Sequence, residues 1–136
     1  MNIAEKLGAI VCSLIMFSNC NFAVAEATSS LLVPLVHLLV DPTAYDGESV
    51  KTMGFMSRIT PTRQQSLLYL TRDHALMHDF VSALQISESK TLRESNCSGR
   101  YVYVVGVLVV DDYNQASLRA SEVIDASTKQ SCWREQ

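Results

Sequence analysis

Two runs in the chain share the same spacing of glycine and valine. In each run a glycine is followed three residues later by valine and seven residues later by a second glycine. The runs are Gly47-x-x-Val50-x-x-x-Gly54 and Gly99-x-x-Val102-x-x-x-Gly106. Each run opens at a turn, and its second glycine lies inside an apolar stretch. Because glycine weakens the interior of a strand, it marks a bend or bulge there, as the tight corners of a small β-barrel require. The spacing therefore predicts a small β-barrel.

The first 25 residues have the pattern of a signal peptide. Lys6 precedes an apolar segment over residues 7–17, and a small-x-small sequence ends at Ala25. We therefore expect cleavage after Ala25, which leaves residues 26–136 as a single domain in the periplasm or secreted. The apolar segment is shorter than the roughly 18 to 20 residues that span a bilayer. The alternative is a lipoprotein signal with Cys20 as the lipidated residue, although Phe17-Ser18-Asn19 before it is a poor match to such a site.

The charge of the chain bears on its partners. The formal net charge is −3 at pH 7, and it does not change when residues 1–25 are removed, because Glu5 and Lys6 leave together. Acidic and basic residues are mixed, without a basic stripe. Since contacts to phosphates dominate the affinity for nucleic acids, this composition disfavours DNA, RNA and anionic membrane surfaces as partners.

The cysteines are interpreted in the light of export. Cys12 and Cys20 belong to the predicted signal peptide, so the mature chain retains Cys97 and Cys132. An isolated pair in an oxidising compartment is a disulfide candidate, whereas in the cytosol it would be two unrelated thiols. A bridge requires the two Cα atoms to lie within about 7 Å of each other. A zinc site is not indicated, because the chain has no C-x-x-C spacing.

Hydrophobic patterning predicts a mainly β domain with one short helix near its start. The helix is expected over residues 34–40, where Pro34 suits a first turn and His37 is expected to be packed with its nitrogen satisfied. Strands are expected over 50–59, 67–71, 80–87 and 101–110, with a loop or short helix over 87–99. The stretch 101–110 is the strongest strand, because it is almost continuously β-branched and aromatic. Residues 117–126 fit a helix and a strand equally well.

Several short motifs follow one another along the chain. They are Leu38-Leu39-Val40-Asp41-Pro42, Tyr45-Asp46-Gly47, Val50 with Gly54, Leu68-Tyr69-Leu70, and Gly99-Arg100-Tyr101-Val102-Tyr103-Val104-Val105-Gly106. In this order they resemble a family of small exported bacterial proteins of unknown function that carry an OB-fold. The resemblance covers residues 31–129. It implies a five-stranded OB-fold barrel with a short N-terminal helix, and it makes 117–126 the fifth strand.

The chain departs from this family just before the fifth strand. Asn114-Gln115-Ala116 stands where the family often carries Gly-His and a small apolar residue. Related OB-fold modules are named after tRNA anticodon binding. That activity is not carried over, because one fold hosts many functions and this chain lacks the positive charge.

Candidates for catalysis are few. His74 and His78 are four residues apart and flanked by acidic residues, and on a helix this spacing would place both imidazoles on one face, as a metal pair requires. The simpler interpretation is a polar connection whose histidines meet solvent. Asp111-Asp112 follows a strand and is expected to be a solvated turn. No catalytic residue, metal site or cofactor is predicted.

An OB-type barrel binds ligands on its open face, where exposed aromatic rings stack on flat or extended molecules. The predicted contact residues are Tyr69, Tyr101, Tyr103, Arg58 and Arg72, with Tyr45, Phe55 and Arg100 weighed beside them. The expected function is a secreted or periplasmic binding or accessory domain for an envelope protein, a peptidoglycan fragment or another oligomer. The alternatives are a nucleic-acid-binding module and a small metal-dependent enzyme that uses His74 and His78. Burial of Tyr69, Tyr101 and Tyr103 would argue against the binding face.

Overall fold

The computed structural model of the chain describes residues 29–57, 65–87 and 90–136. The predicted signal peptide, its cleavage after Ala25, the alternative at Cys20 and the predicted contact residue Arg58 lie outside these ranges. The strands are β1 (Leu31–Leu32), β2 (Ser49–Met56), β3 (Ser66–Tyr69), β4 (Ala83–Ser87), β5 (Tyr101–Val110), β6 (Ala116–Asp125) and β7 (Ser131–Arg134). The helices are α1 (Leu35–Val40), α2 (Arg72–Leu76) and α3 (Lys90–Arg93), with 3₁₀ turns at Pro42–Tyr45 and Phe80–Ser82.

Five of these strands close into a barrel in the order β2-β3-β4-β6-β5, because β5 also pairs with β2. The β4–β6 pairing is parallel and the other four pairings of the barrel are antiparallel. This is a closed, OB-fold-like barrel, as expected. The two remaining strands extend it: β1 pairs in parallel with β2, and β7 pairs with the end of β6.

The two glycine runs pair with each other. In the antiparallel register of β2 and β5, the valine of each run lies opposite the second glycine of the other, so that Val50 faces Gly106 and Val102 faces Gly54. The first glycines both have positive φ, 80° and 79°, and each is the last residue of the turn that leads into its strand. Each donates its N–H across the pair: Gly47 to the Leu108 carbonyl at 2.8 Å and Gly99 to the Met56 carbonyl at 2.9 Å. The equal glycine–valine spacing in the two runs therefore reflects their pairing, in which β2 and β5 are related by an approximate local twofold axis.

The second glycines are required by close packing. The register of β5 against β6 shifts between Val105 and Gly106, which is a β-bulge. A Cβ atom at Gly106 would overlap the carbonyl oxygen of Arg119 and lie 2.8 Å from its carbonyl carbon. A Cβ atom at Gly54 would lie 2.7 Å from both the Leu68 side chain and the Tyr69 carbonyl oxygen. The predicted bulge is confirmed at Gly106, whereas at Gly54 the register of β2 against β5 is regular and the structure shows close packing.

The core fills the barrel interior. In β5, residues at even positions from Val102 to Leu108 point inward and are buried, and those at odd positions face outward. Alternation of this kind is expected when one face of a sheet packs on the core and the other meets solvent. Helix α1 adds Leu35 and Leu38 to the core. The prediction that His37 is packed was wrong: its side chain is exposed, because the buried face of the short helix is formed by positions 35 and 38.

The predicted strand over 80–87 was wrong in its first half. Residues Phe80–Ser82 form a 3₁₀ turn, and the strand begins at Ala83. The Asp79 carboxylate fixes this turn by accepting hydrogen bonds from the Val81 N–H at 3.3 Å and the Ser82 hydroxyl at 2.8 Å. Phe80 lies in this turn and is 54% exposed. The other strands lie where they were predicted to within a few residues, and the ambiguous segment is strand β6.

A disulfide joins Cys97 to Cys132, with the Cα atoms 5.6 Å apart. It confirms the predicted pair and links the segment before β5 to β7. Trp133 packs beside it in the core, and its indole N–H donates to the Thr91 hydroxyl at 3.0 Å. Within the described ranges, no helix is long and apolar enough to cross a membrane.

Candidate functional site

A cavity of about 730 Å³ opens on the outer surface of the barrel. One wall comes from the ends of β2 and β3 and the start of β5, and carries Phe55, Tyr69 and Tyr101. The opposite wall comes from α2 and the residues that follow it. This volume falls within the range of about 300 to 1,000 Å³ that is typical of small-molecule sites.

Strand register brings the three aromatic side chains together. Phe55 lies directly opposite Tyr69 on β3 and directly opposite Tyr101 on β5. Residues directly opposite each other in antiparallel strands project from the same face of the sheet. The Phe55 and Tyr101 rings pack edge to face, with centroids 5.3 Å apart and planes at 75°. The outer surface therefore presents an aromatic wall across three neighbouring strands.

Helix α2 covers one end of this wall. Thr71 caps the helix, since its hydroxyl accepts a hydrogen bond from the His74 N–H at 3.3 Å. The helix packs against β3, and Tyr69 is only 1% exposed. Tyr101, at the other end of the wall, is 41% exposed. The cavity is thus closed over Tyr69 and open over Tyr101.

Arg72 connects the two walls. Its backbone N–H donates to the Tyr101 hydroxyl at 3.1 Å, which ties the start of α2 to β5. Arg72 itself is exposed, and no carboxylate of the described residues forms an ion pair with its guanidinium group. A guanidinium group carries five N–H donors in a fixed plane, which suits it to bind carboxylate or phosphate oxygens. Arg72 is therefore available to a ligand in the cavity.

The second arginine of the lining, Arg100, is held in place by Asp125. Its guanidinium group donates to the Asp125 carboxylate at 2.6 Å. That carboxylate, on a residue only 5% exposed, also accepts from the Ser127 hydroxyl at 2.5 Å and from the N–H groups of Ser127 and Thr128 at 2.8 and 3.2 Å. The Ser127 hydroxyl first, and then Arg100, hold the pKa of Asp125 well below its usual range. Arg100 is thus fixed and neutralised, whereas Arg72 is not.

The predicted contact residues are only partly brought together. Tyr69, Tyr101 and Arg72 border the cavity. Tyr101 and Arg72 are exposed there, whereas Tyr69 is buried, so at Tyr69 the structure argues against a contact with ligand. Tyr103 lies two residues further along the outer face of β5 and is half-buried. The ammonium groups of Lys51 and Lys129 lie over its ring, at 5.0 and 4.8 Å from the centroid.

Several residues near the site were not predicted. They are Lys51 and Lys129 beside Tyr103, and Ala75, Leu76 and His78 in the cavity lining. Lys51 could have been found from strand alternation, because it shares the outer face of β2 with Phe55. Lys129 belongs to the turn after β6, and its position depends on how that turn folds.

The two histidines do not share a helix face. Helix α2 ends at Leu76, and His78 lies beyond it with a positive φ of 55°. The Nδ1 atom of His74 lies 2.7 Å from the Thr71 hydroxyl, and its Nε2 atom lies 3.9 Å from the Asp79 carboxylate. His78 borders the cavity. Within the described parts of the chain, no three His, Cys, Asp or Glu side chains are grouped closely enough to hold a metal ion.

Asp111 has a structural role in the turn between β5 and β6. Its carboxylate accepts hydrogen bonds from the N–H groups of Tyr113 and Gln115, both at 2.8 Å. Asp112 beside it is exposed. The pair is a solvated turn, as expected.

Comparison with known proteins does not extend this description: no protein-family model matches the chain, and no curated protein sequence is significantly similar to it.

Proposed function

We propose that this protein is a binding domain that acts outside the cytosol and holds a ring-containing ligand of the cell envelope in the aromatic cavity. The observation that carries the proposal is the convergence of Phe55, Tyr69 and Tyr101 on one cavity. The cavity also contains Arg72, which forms no ion pair with any carboxylate of the described residues. Aromatic faces bind flat rings by stacking, and a few polar groups then fix the orientation of the ligand.

A saccharide, such as a fragment of peptidoglycan, is the ligand class that we favour. A sugar ring offers an apolar face to Tyr101 and hydroxyl groups to the polar rim. The exported location is supported by the Cys97–Cys132 disulfide, since such bonds persist in oxidising compartments, and by the signal-like pattern of residues 1–25. We also retain, as part of this proposal, the resemblance to small exported OB-fold proteins.

The alternatives have less support. A nucleic-acid ligand would use the same aromatic stacking, but the net charge of −3 opposes a polyphosphate backbone. A metal-dependent enzyme would require His74 and His78 to converge with a third ligand. In the described residues these histidines have separate surroundings: His74 contacts Thr71 and approaches Asp79, and His78 borders the cavity.

The proposal can be tested by NMR titration of the protein, expressed with its own N-terminal segment and purified from the periplasm of a bacterial host. The probes are a neutral N-acetylglucosamine tetramer and a peptidoglycan disaccharide–tetrapeptide. We expect amide shifts at Phe55, Arg72 and Leu76, and we expect Tyr101→Ala to weaken binding about tenfold, since one stacked ring is worth about 1 to 3 kcal/mol.

The matched control is Tyr113→Ala. Tyr113 is 86% exposed and lies in the turn at the far end of β5, so its loss removes an equal side chain away from the cavity. This variant should bind like the unmodified protein. Shifts that avoid the cavity with both probes, or equal affinities of the two variants, would contradict the proposed function.

A further inference from the structure

A second set of ligand-binding groups adjoins the cavity on β5. Tyr101 and Tyr103 both point outward from this strand, two residues apart. That spacing corresponds to about 6.7 Å along a strand. Tyr101 borders the cavity and Tyr103 is not part of its lining, so contact with both tyrosines requires a ligand longer than a single ring.

Tyr103 is accompanied by two positive charges. Lys51 comes from β2 and Lys129 from the turn after β6, and their ammonium groups lie 5.0 and 4.8 Å from the centre of the Tyr103 ring. The attraction of a cation to an aromatic face accounts for this arrangement. No carboxylate of the described residues forms an ion pair with either ammonium group. Two cations without a counter-ion therefore lie over one ring.

The cavity also carries a positive charge. Its lining contains Arg72, which forms no ion pair with a described carboxylate, and none of the described lining residues is aspartate or glutamate. The nearest buried carboxylate, Asp125, is already occupied by Arg100 and the Ser127 turn. The protein as a whole has a net charge of −3. Among the described residues, Arg72, Lys51 and Lys129 therefore place positive charge without an ion-pair partner beside Tyr101 and Tyr103, on a protein that is acidic as a whole.

Resting on the proposed function, we propose that the ligand is an acidic oligosaccharide. One of its rings occupies the cavity against Tyr101 with an acidic group at Arg72, and the next acidic group lies between Lys51 and Lys129 beside Tyr103. A carboxylate-bearing glycan fits this arrangement, because Arg72 lies beside the cavity that Tyr101 borders, and Lys51 and Lys129 lie beside Tyr103. Single-stranded nucleic acid fits less well, because nucleic-acid affinity scales with the number of phosphates neutralised. Among the described residues, the cations of the strip that form no ion pair are Arg72, Lys51 and Lys129.

The test compares two probes that differ only in charge. Tetragalacturonate carries a carboxylate on every ring, and its full methyl ester has the same rings without charge. Dissociation constants are measured by calorimetry at low and high salt with the periplasmic protein. We expect the acid to bind about tenfold more tightly than the ester at low salt, and the difference to shrink as salt screens exposed charges.

A double variant with Lys51→Gln and Lys129→Gln should bind the acid about fivefold more weakly, because each exposed ion pair contributes from a fraction of 1 kcal/mol to about 1 kcal/mol. Its affinity for the ester should not change. Lys51→Arg with Lys129→Arg keeps the charge and should restore binding. The matched control is Arg119→Gln, which removes a cation opposite Val107, further along the same strands.

Each outcome separates this inference from the proposed function. Equal affinities for acid and ester, or an unchanged affinity for the acid in the double glutamine variant, overturn the inference. If Tyr101→Ala still weakens binding in that case, the cavity remains the binding site. The inference also fails if neither galacturonate probe binds, or if a thymidine oligonucleotide binds more tightly than the acid. The proposed function is overturned separately, by the absence of cavity shifts with the N-acetylglucosamine tetramer and the disaccharide–tetrapeptide.

Discussion

Substitution of Gly106 by alanine tests the packing that closes the barrel. A Cβ atom at this position overlaps the carbonyl oxygen of Arg119 and lies 2.8 Å from its carbonyl carbon and 2.9 Å from the Ala120 Cα atom. All three neighbours are backbone atoms of β6, so no side chain can rotate away. Either the bulge opens or the register of β5 against β6 changes. Since overpacking typically costs 1 to 3 kcal/mol, we expect a loss of about 3 kcal/mol in the free energy of unfolding.

Gly47→Ala is the matched control for this substitution. Gly47 also needs its glycine, because its φ is 80°, but nothing lies within 4 Å of an added Cβ atom. The left-handed conformation alone costs about 1 to 2 kcal/mol for a residue with a side chain. The comparison therefore separates steric overlap at the bulge from backbone preference at the turn.

Urea unfolding can measure both losses. The chain has a single tryptophan, Trp133, which is 9% exposed and packs in the core, so its fluorescence and the far-ultraviolet circular dichroism signal should give coincident transitions. We expect Gly106→Ala to lower the midpoint clearly more than Gly47→Ala does, with an unchanged slope. A Gly106→Ala variant as stable as the unmodified protein, or more stable than Gly47→Ala, would refute this account of the bulge.

Two further predictions concern buried polar groups. Thr52 is fully buried, and its hydroxyl has no hydrogen-bond partner in the described part of the chain. Thr52→Val should therefore raise the free energy of unfolding by about 1 kcal/mol in the same urea assay. A loss of stability in this variant would contradict the prediction. The folded-state pKa of Asp125 is lowered from its ordinary value of 3.8. The ionised carboxylate therefore adds to the free energy of unfolding above that pH, and this stabilisation is lost as the pH falls below it. Asp125→Asn should flatten the acid side of a stability-versus-pH curve, and an unchanged acid slope would contradict this.

The barrel was largely predictable because its features are encoded locally. The two glycine runs mark the turns before β2 and β5 and the bulge in β5, and the continuous apolar segment 101–110 forms β5, which pairs with both β2 and β6. Residues 117–126 were different, since helix and strand patterns fit them equally. Only the resemblance to OB-fold proteins favoured a strand there, and β6 confirms that assignment.

Elements fixed by capping or tertiary contacts were missed. Helix α2 and the 3₁₀ turn after it are too short for periodicity to reveal, and depend on the side chains of Thr71 and Asp79. Strand β7 has four residues, and its place beside β6 depends on pairing and on the Cys97–Cys132 bridge.

The sequence predicted which types of residue form the candidate site, but it predicted their positions only in part. Tyrosines on the outer face of β5 follow from strand alternation, and so does the exposure of Tyr101. The burial of Tyr69 depends on the position of α2, which the sequence pattern does not show. Lys51 and Lys129 are far apart in sequence, and only the closed barrel and the turn after β6 bring both to Tyr103.

The proposed binding mode requires a ring of the ligand to lie against the aromatic wall of the cavity. Intermolecular nuclear Overhauser effects between the bound disaccharide–tetrapeptide and the aromatic ring protons of the protein measure this contact. We expect contacts from the sugar ring protons to Phe55 and Tyr101, and none to Tyr113. Contacts confined to Tyr113 or to other residues outside the cavity would contradict it.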